Sequence, residues 1–232
     1  MPFGEPIPDC QKPIQQLLQD ILVDVEVHTI DQSEAIELIE KLNTDDSVHG
    51  IIVQIPLPDP SQTDEILNAV NAQKDVDGLA SGSQFDAPTP IAITWLLAGY
   101  DITVLDQNIV IIGKGRLVGD PLSRMWKKSG LEVTVVDSKT PDVQTLTKHA
   151  DIIVSAAGAP EVLSADMVSD DAVVVDAGVS TDSNGLVGDV ADSVRELPSI
   201  TITPQKGGVG PLTVSALFEN VITAARLTVS DD

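Results

Sequence analysis

Residues 110–121, VIIGKGRLVGDP, constrain the fold more than any other stretch of the chain. An apolar run, 109–112, stops at Gly113. Gly115 and Gly119 follow, and a polar, partly basic helical pattern then continues to Ser129. A buried strand, a glycine turn and a helix start together make an anion cradle. The turn exposes backbone N–H groups, and the helix start carries roughly half a positive charge. The spacing Gly113-x-Gly115-x3-Gly119 departs from the strict dinucleotide fingerprint, whose third glycine comes one residue earlier. Two neighbours strengthen the reading. The next predicted strand, 132–136, runs into Asp137, and an acidic residue about 20 positions beyond such a turn can hold a ribose 2′-hydroxyl. Five of the chain's 13 basic residues (Lys114, Arg116, Arg124, Lys127 and Lys128) also fall in this window.

That concentration matters because the chain is otherwise strongly acidic, with 36 Asp and Glu and a formal net charge of −23. Such a charge argues against nucleic acid or an anionic membrane as a general partner, and any anionic ligand needs a local positive patch. The excess acid reads equally as a solubility adaptation, for example to high salt. The 232 residues suffice for one large or two small domains, and 42% hydrophobic residues mark a globular chain. Cys10 is the only cysteine, which excludes an intrachain disulfide and a multi-cysteine zinc site; it reads as an inert buried thiol. No basic-then-apolar leader opens the sequence and no apolar run approaches 18 residues. The expectation is a soluble, cytoplasmic protein.

Hydrophobic periodicity divides the chain into two α/β stretches. Residues 1–11 read as an irregular entry, 13–22 as a helix opened by proline, 23–28 as a strand and 33–42 as an amphipathic helix with an Asp31/Glu34 capping box. Residues 50–55 form a short apolar strand stopped by Pro56 and Pro58. Residues 61–70 form a helix with a Ser61/Asp64 cap. This is βαβ rhythm, which favours a parallel sheet covered by helices. A loop follows to Ala87, then a long apolar helix, 88–100, that links two domains. The rhythm restarts with strands at 109–112, 132–136, 151–155, 172–176 and 201–203. Helices are expected at 121–129, 142–149, 165–168 and 212–227. The predicted fold class is therefore two α/β domains with a cleft between them: 1–90 plus 212–232, and 91–211, the latter of Rossmann type.

Four constellations could carry chemistry. Gln54 ends an apolar strand, where open α/β sheets bind ligands; it reads equally as a locally satisfied edge glutamine. Lys74-Asp75-Val76-Asp77-Gly78 places two carboxylates one residue apart. In an extended chain only one of them can face a pocket, and a solvated turn is the competing reading. Lys206 to Thr213, KGGVGPLT, has three glycines that let backbone approach a ligand, with Thr213 as the cap of the following helix and a plain hinge as the alternative. Ser155-Ala156-Ala157-Gly158 and Asp176-Ala177-Gly178-Val179 end two strands in small residues that leave room for a flat ring, although tight turns need the same residues. His28, His49 and His149 converge on nothing and read as structural. No HExxH, GxSxG or Walker pattern is present.

Taken together, VHGIIVQIPLP (48–58), KDVDGL (74–79), PTP (88–90), GKGRLVGDP (113–121), DSKT (137–140), VDAGV (175–179), VGDV (187–190) and GGVGPLT (207–213) resemble the bifunctional methylenetetrahydrofolate dehydrogenase/methenyltetrahydrofolate cyclohydrolase family. The resemblance covers nearly the whole chain from about Asp24. It implies a folate-binding domain and a Rossmann-type domain. It also implies oxidation of 5,10-methylenetetrahydrofolate by hydride transfer to NAD(P)⁺, followed by hydrolysis of the methenyl product to 10-formyltetrahydrofolate, and a homodimer formed through the nucleotide domain. Gln54 matches the glutamine that hydrogen-bonds the catalytic lysine, and Asp77 the aspartate that grips the pterin ring. Gly78, Gly208, Val209, Gly210 and Pro211 fall on the substrate side. Gly113, Lys114, Gly115, Asp137, Ser138, Gly158, Val179 and Thr213 fall on the nucleotide side.

The chain also departs from the family pattern. It lacks the family's opening helix and central strand and reads as an N-terminally shortened member. Lys12 falls close to the catalytic lysine of the family's Tyr-x3-Lys motif, but Pro8 stands where the tyrosine would be. Dehydrogenase activity is therefore expected to survive better than cyclohydrolase activity. The alternative is a degenerate member that binds nucleotide, folate or a partner without turnover. For the cofactor, Asp137 replaces a histidine beside the 2′-phosphate position, which favours NAD⁺. Lys114, Arg116 and Lys139, with Ser138 and Thr140, are the groups that would favour NADP⁺. No metal is expected.

Overall fold

The computed structural model describes residues 23–182 and 185–229. It separates into two compact units. Thr89–Thr213 forms one, and residues 23–88 with 214–229 form the other. The predicted helix at 13–22, with Cys10 and Lys12, lies outside the described residues.

In the discontinuous unit, α1 (Ala35–Asn43) and α2 (Thr63–Asn68) press Ile39 and Ile66 onto Ile51 and Val70. The expected capping boxes do not form. The Asp31 side chain caps nothing, and its backbone carbonyl receives the Glu34 N–H instead. At the second helix the capping side chain is Asp59, which accepts from the Ser61 N–H at 3.0 Å and the Ser61 hydroxyl at 2.7 Å. These bonds hold the Asp59 carboxyl below the usual aspartate range. Gln32 ties the two helix starts together, donating to the Asp59 carbonyl and accepting from the Asp59 N–H. At the other end of α1, Lys74 Nζ donates to the carbonyls of Leu42 (3.0 Å) and Asp45 (2.8 Å), a cation placed on a helix C-terminus.

The expected strands at 23–28 and 50–55 join no ladder among the described residues. A strand exists only through a partner. Ile51 N–H finds one bond, to the Lys74 carbonyl, and no described segment runs alongside to supply the rest.

α3 (Pro88–Gly99) is apolar on almost every side and buries Ala92, Ile93 and Leu97. The second unit is built on it. Its elements are β1 (Ile109–Ile112), α4 (Gly119–Lys128), β2 (Val133–Val136), α5 (Val143–Lys148), β3 (Ile152–Ser155), β4 (Val173–Asp176), β5 (Ser180–Asp182), β6 (Gly185–Val187), α6 (Asp192–Arg195), β7 (Thr201–Ile202) and α7 (Val209–Val229). Five parallel strands run in the order β2-β1-β3-β4-β7, and β5 and β6 form a separate antiparallel pair. β1, fully apolar, and β3, apolar up to Ser155, are buried at every position, as strands of a parallel sheet are when both faces are covered. One face packs on α3 and α4 through Ile93, Leu97, Leu122 and Trp126. The other packs on Leu163, Val168 and Val194. Trp126 Nε1 donates to Thr94 Oγ1 at 3.0 Å, which satisfies its only polar atom.

The elements depart from the sequence reading in several places. α4 starts at Gly119 rather than at 121. α7 starts at Val209 rather than at 212. The β5–β6 hairpin and α6 were not expected. Helix α7 extends upstream because Pro211, which lacks an N–H, sits in a first turn where no N–H is required. Thr213 is consequently inside the helix and caps nothing. Its hydroxyl lies 3.3 Å from the Val209 carbonyl and 3.4 Å from Thr89 Oγ1.

Candidate active site

The sheet order places the turn after β1 beside the turn after β3, with β2 on the opposite side of β1. Open parallel sheets bind ligands at this reversal, at the carboxyl ends of the strands. Gly113 leaves β1 with φ +100°, and its N–H donates to the Val136 carbonyl at 2.8 Å. A Cβ here would collide with the Ala156 carbonyl and come within 2.7 Å of Ala157 Cα. Gly119 packs onto the Gly113 carbonyl so closely that it too excludes a side chain. A Cβ on Gly115 would meet only the Ala156 carbonyl oxygen, at 3.8 Å, and the residue lies exposed with Lys114 and Arg116. Two glycines therefore shape the turn and the third leaves it open.

Lys114 also borders a hollow of about 360 Å³ lined by Asp120, Ser123, Arg124, Lys127 and Val135, three of whose six lining residues are cationic. Arg124 is partly neutralised by Asp120 at 3.1 Å. Beyond β2, Asp137 Oδ1 accepts from the Lys139 N–H (2.9 Å) and Thr140 Oγ1 (3.1 Å). Those two bonds hold its carboxyl below the ordinary range, so it stays charged at neutral pH. Ser138 is exposed beside it.

At the ends of β3 and β4 the polar organisation is denser. Asp189 is fully buried. Its Oδ2 accepts from Ser155 Oγ (3.0 Å) and the N–H groups of Ala157 (2.6 Å) and Gly158 (3.2 Å), and its Oδ1 accepts from the Ala159 N–H (3.0 Å). Asp176 accepts from the N–H groups of Asp189 (3.0 Å), Gly178 (3.3 Å) and Val190 (3.4 Å), and pairs with Arg195 Nη2 at 2.6 Å. Arg195 Nη1 donates to the Thr203 carbonyl at 2.8 Å. Burial raises the Asp176 carboxyl above its ordinary range, against the opposing pull of the Asp189 N–H and the Arg195 charge. Val179, just beyond β4, is 68% exposed. The sequence reading quoted VGDV as a motif but singled out neither Asp189 nor Arg195. Gly207 (φ +76°) and Gly208 bring the chain to Val209, which is buried, and Gly210 has open space where a Cβ would stand.

In the discontinuous unit, the two carboxylates of the KDVDG turn part company. Asp75 is 3% exposed and accepts from the Ala80 N–H at 2.9 Å, which closes the turn. Asp77 is partly buried, with no such bond among the described residues. Burial, and secondarily the charge of Asp75, push its carboxyl up to about 6. Gly78 adopts φ +67° against the backbone of 85–87. Asn220 of α7 fixes the turn from behind, donating to the carbonyls of Val76 (2.8 Å) and Asp86 (3.0 Å). Gln54 is exposed, and its amide donates to the Ile55 carbonyl at 3.0 Å, the locally satisfied arrangement. Among the described residues no group of three or more His, Cys, Asp or Glu could hold a metal ion, and no helix is long and apolar enough to cross a membrane.

A parallel sheet with a glycine-shaped turn at its reversal point, followed by a helix start, defines a Rossmann-type nucleotide-binding unit. Residues 87–229 match the NAD(P)-binding domain, and residues 17–77 the catalytic domain, of tetrahydrofolate dehydrogenase/cyclohydrolase. The chain belongs to this family. A bifunctional protein FolD of Campylobacter fetus is 42% identical over 206 residues, which cover 84% of this chain and 72% of the relative. The crystal structure of the bifunctional FolD dehydrogenase/cyclohydrolase from Campylobacter jejuni superposes with a TM-score of 0.85 at 36% identity, covering 97% of this chain and 86% of that one. The Trypanosoma brucei enzyme, solved with NADP cofactor and an inhibitor, gives 0.81 at 28% identity over 96% and 84%.

Proposed function

We propose that the chain oxidises 5,10-methylenetetrahydrofolate to the 5,10-methenyl form with a nicotinamide nucleotide, and hydrolyses the product to 10-formyltetrahydrofolate. The observation that carries this reading is the glycine turn of 113–119, shaped as a cradle that a Cβ would fill, within a chain about 40% identical to bifunctional FolD proteins. Family membership at that identity does not favour the alternative of binding without turnover.

The nucleotide residues assigned here are Gly113, Lys114, Gly115, Asp137, Ser138, Gly158, Val179 and Thr213, within a nucleotide domain of 91–211. The remainder, 1–90 with 212–232, is assigned to folate, with Gly208, Val209, Gly210 and Pro211 contributing backbone. When bound, the nucleotide supplies a hydride acceptor. The chain supplies orientation, which carries much of the rate in reactions of this kind. Asp77 is assigned to grip the substrate ring. With a carboxyl ionising near 6, it is mostly charged at neutral pH and readily protonated below it. Lys12 is assigned to the hydrolytic step and Gln54 to hydrogen-bond it. Loss of a positioned acid/base group costs about 10²–10⁴-fold.

Between the two nucleotides we propose NAD⁺. Asp137 stays ionised, and a carboxylate beside a 2′-phosphate is repulsive, while Lys114 and Lys139 limit the preference. The enzyme is proposed to be a cytoplasmic homodimer. Purified protein tests the reading: nicotinamide reduction with 5,10-methylenetetrahydrofolate, and loss of the methenyl absorbance, measured separately. Lys12→Met is expected to abolish the second while leaving a substantial part of the first. Methenyl hydrolysis without nicotinamide reduction would contradict the assignment.

A further inference from the structure

Three successive backbone N–H groups, those of Ala157, Gly158 and Ala159, converge on one carboxylate, that of Asp189. Converging N–H groups after a strand are ordinarily an anion site. In the turn after β3 such a set of N–H groups is filled from within the chain. The carboxylate is fully buried and also takes the hydroxyl of Ser155, itself fully buried at the end of β3.

A second carboxylate makes the arrangement reciprocal. Asp176 receives the N–H of Asp189. A Cβ on Gly178, two residues after Asp176, would collide with the Asp189 carboxylate. A Cβ on Gly188, the residue before Asp189, would collide with Asp176 Oδ2. Each aspartate thus lies against a glycine next to the other. Arg195 extends the clasp to β7 by bonding both Asp176 and the Thr203 carbonyl, and the Asp176 N–H donates to Thr203 Oγ1 at 2.9 Å. Three strand ends (β3, β4 and β7) are locked to one another by two carboxylates and a guanidinium.

We propose that Asp189, supported by Asp176 and Arg195, is a positioning residue for the nicotinamide nucleotide. It fixes the turns carrying Gly158 and Val179, and it keeps the turn after β3 closed to phosphate, so that the diphosphate has one place to go, the turn after β1. This rests on the nucleotide-binding reading above. Asp189 contacts the nucleotide through no atom of its own; its effect passes through the backbone it holds.

The test is steady-state kinetics of the full chain carrying Asp189→Asn, which keeps the shape but turns a donor toward backbone N–H groups. KM for the nucleotide is expected to rise at least tenfold, while KM for the folate substrate stays within twofold. General destabilisation lowers the amount of active enzyme and moves neither KM. Ser155→Ala removes one bond and leaves the backbone donors in place. It is expected to raise nucleotide KM two- to fivefold and serves if the first variant does not fold. Nucleotide KM unchanged in Ser155→Ala, or in folded Asp189→Asn, overturns the inference while the wild-type reading stands. Wild-type protein that binds neither NAD⁺ nor NADP⁺ overturns that reading and this inference with it.

Discussion

Gly119 lies directly on the backbone carbonyl of Gly113, closer than any side chain could allow. This pair accounts for the irregular glycine spacing. The third glycine is set by the carbonyl it must pass, one residue later than in the usual fingerprint. Because both partners are backbone, nothing flexible can move aside. Gly119→Ala is expected to cost about 1–3 kcal/mol or more through overpacking and to abolish nucleotide binding. Gly115→Ala, with its nearest neighbour at 3.8 Å, should fold as the wild type does. Thermal unfolding and calorimetric titration with NAD⁺ check both, and equal stability of the two variants would refute the steric argument.

Asp77 links stability to pH. Its carboxyl ionises near 3.8 when unfolded and near 6 when folded. Below about 3.8 it is protonated in both states. Between the two values the folded state holds the extra proton, so stability falls as pH rises, and the loss is complete above about 6. Asp77→Asn should therefore stabilise the protein at pH 8 by about 1–3 kcal/mol, with the gain vanishing near pH 4. Urea midpoints across that range measure it, and a gain independent of pH would show that burial of Asp77 is not the cause. The same variant is expected to raise KM for the folate substrate.

Asp137→Ser tests the cofactor assignment. Removing an exposed charge next to a phosphate lifts a repulsion that solvent only partly screens, so the ratio of kcat/KM for NADP⁺ over NAD⁺ should rise, by roughly fivefold. In 1 M salt, where the screening length falls to about 3 Å, the wild-type preference should shrink toward that of the variant. A ratio that ignores both the substitution and the salt would remove Asp137 from the specificity argument.

Asn220→Ala strips the buried carbonyl of Val76 and the partly buried carbonyl of Asp86 of their shared donor. The expected loss is about 1–3 kcal/mol, with a higher KM for folate and an unchanged KM for nucleotide. Chemical denaturation and paired KM measurements decide this. A nucleotide effect as large as the folate effect would show that Asn220 does more than hold the KDVDG turn.

The nucleotide unit was legible in sequence because β1, β3 and β4 are short apolar runs closed by small or charged residues, a pattern set locally. The strands expected at 23–28 and 50–55 failed because pairing is a property of neighbours and not of the segment. The β5–β6 hairpin was missed although Asn184-Gly185 is a strong hairpin signal, since the flanking Ser180–Asp182 is too polar to read as a strand. The capping residue went wrong by two positions at 59–64, where Asp59 and Ser61 are both good caps and only the fold selects between them. The Asp176–Asp189 clasp had no local signature, because its glycines acquire meaning only once the two strand ends meet.

The bond from Asn220 to Val76 spans 144 residues of chain, with the whole of Thr89–Thr213 threaded between its ends. During synthesis at about 5–20 residues per second, the KDVDG turn emerges roughly seven to thirty seconds before the side chain that secures it. The continuous unit has all its strands by then. The continuous unit therefore has its full set of strands to close first, and the discontinuous unit waits, unfinished and open to chaperones and proteases, until Asn220 is released.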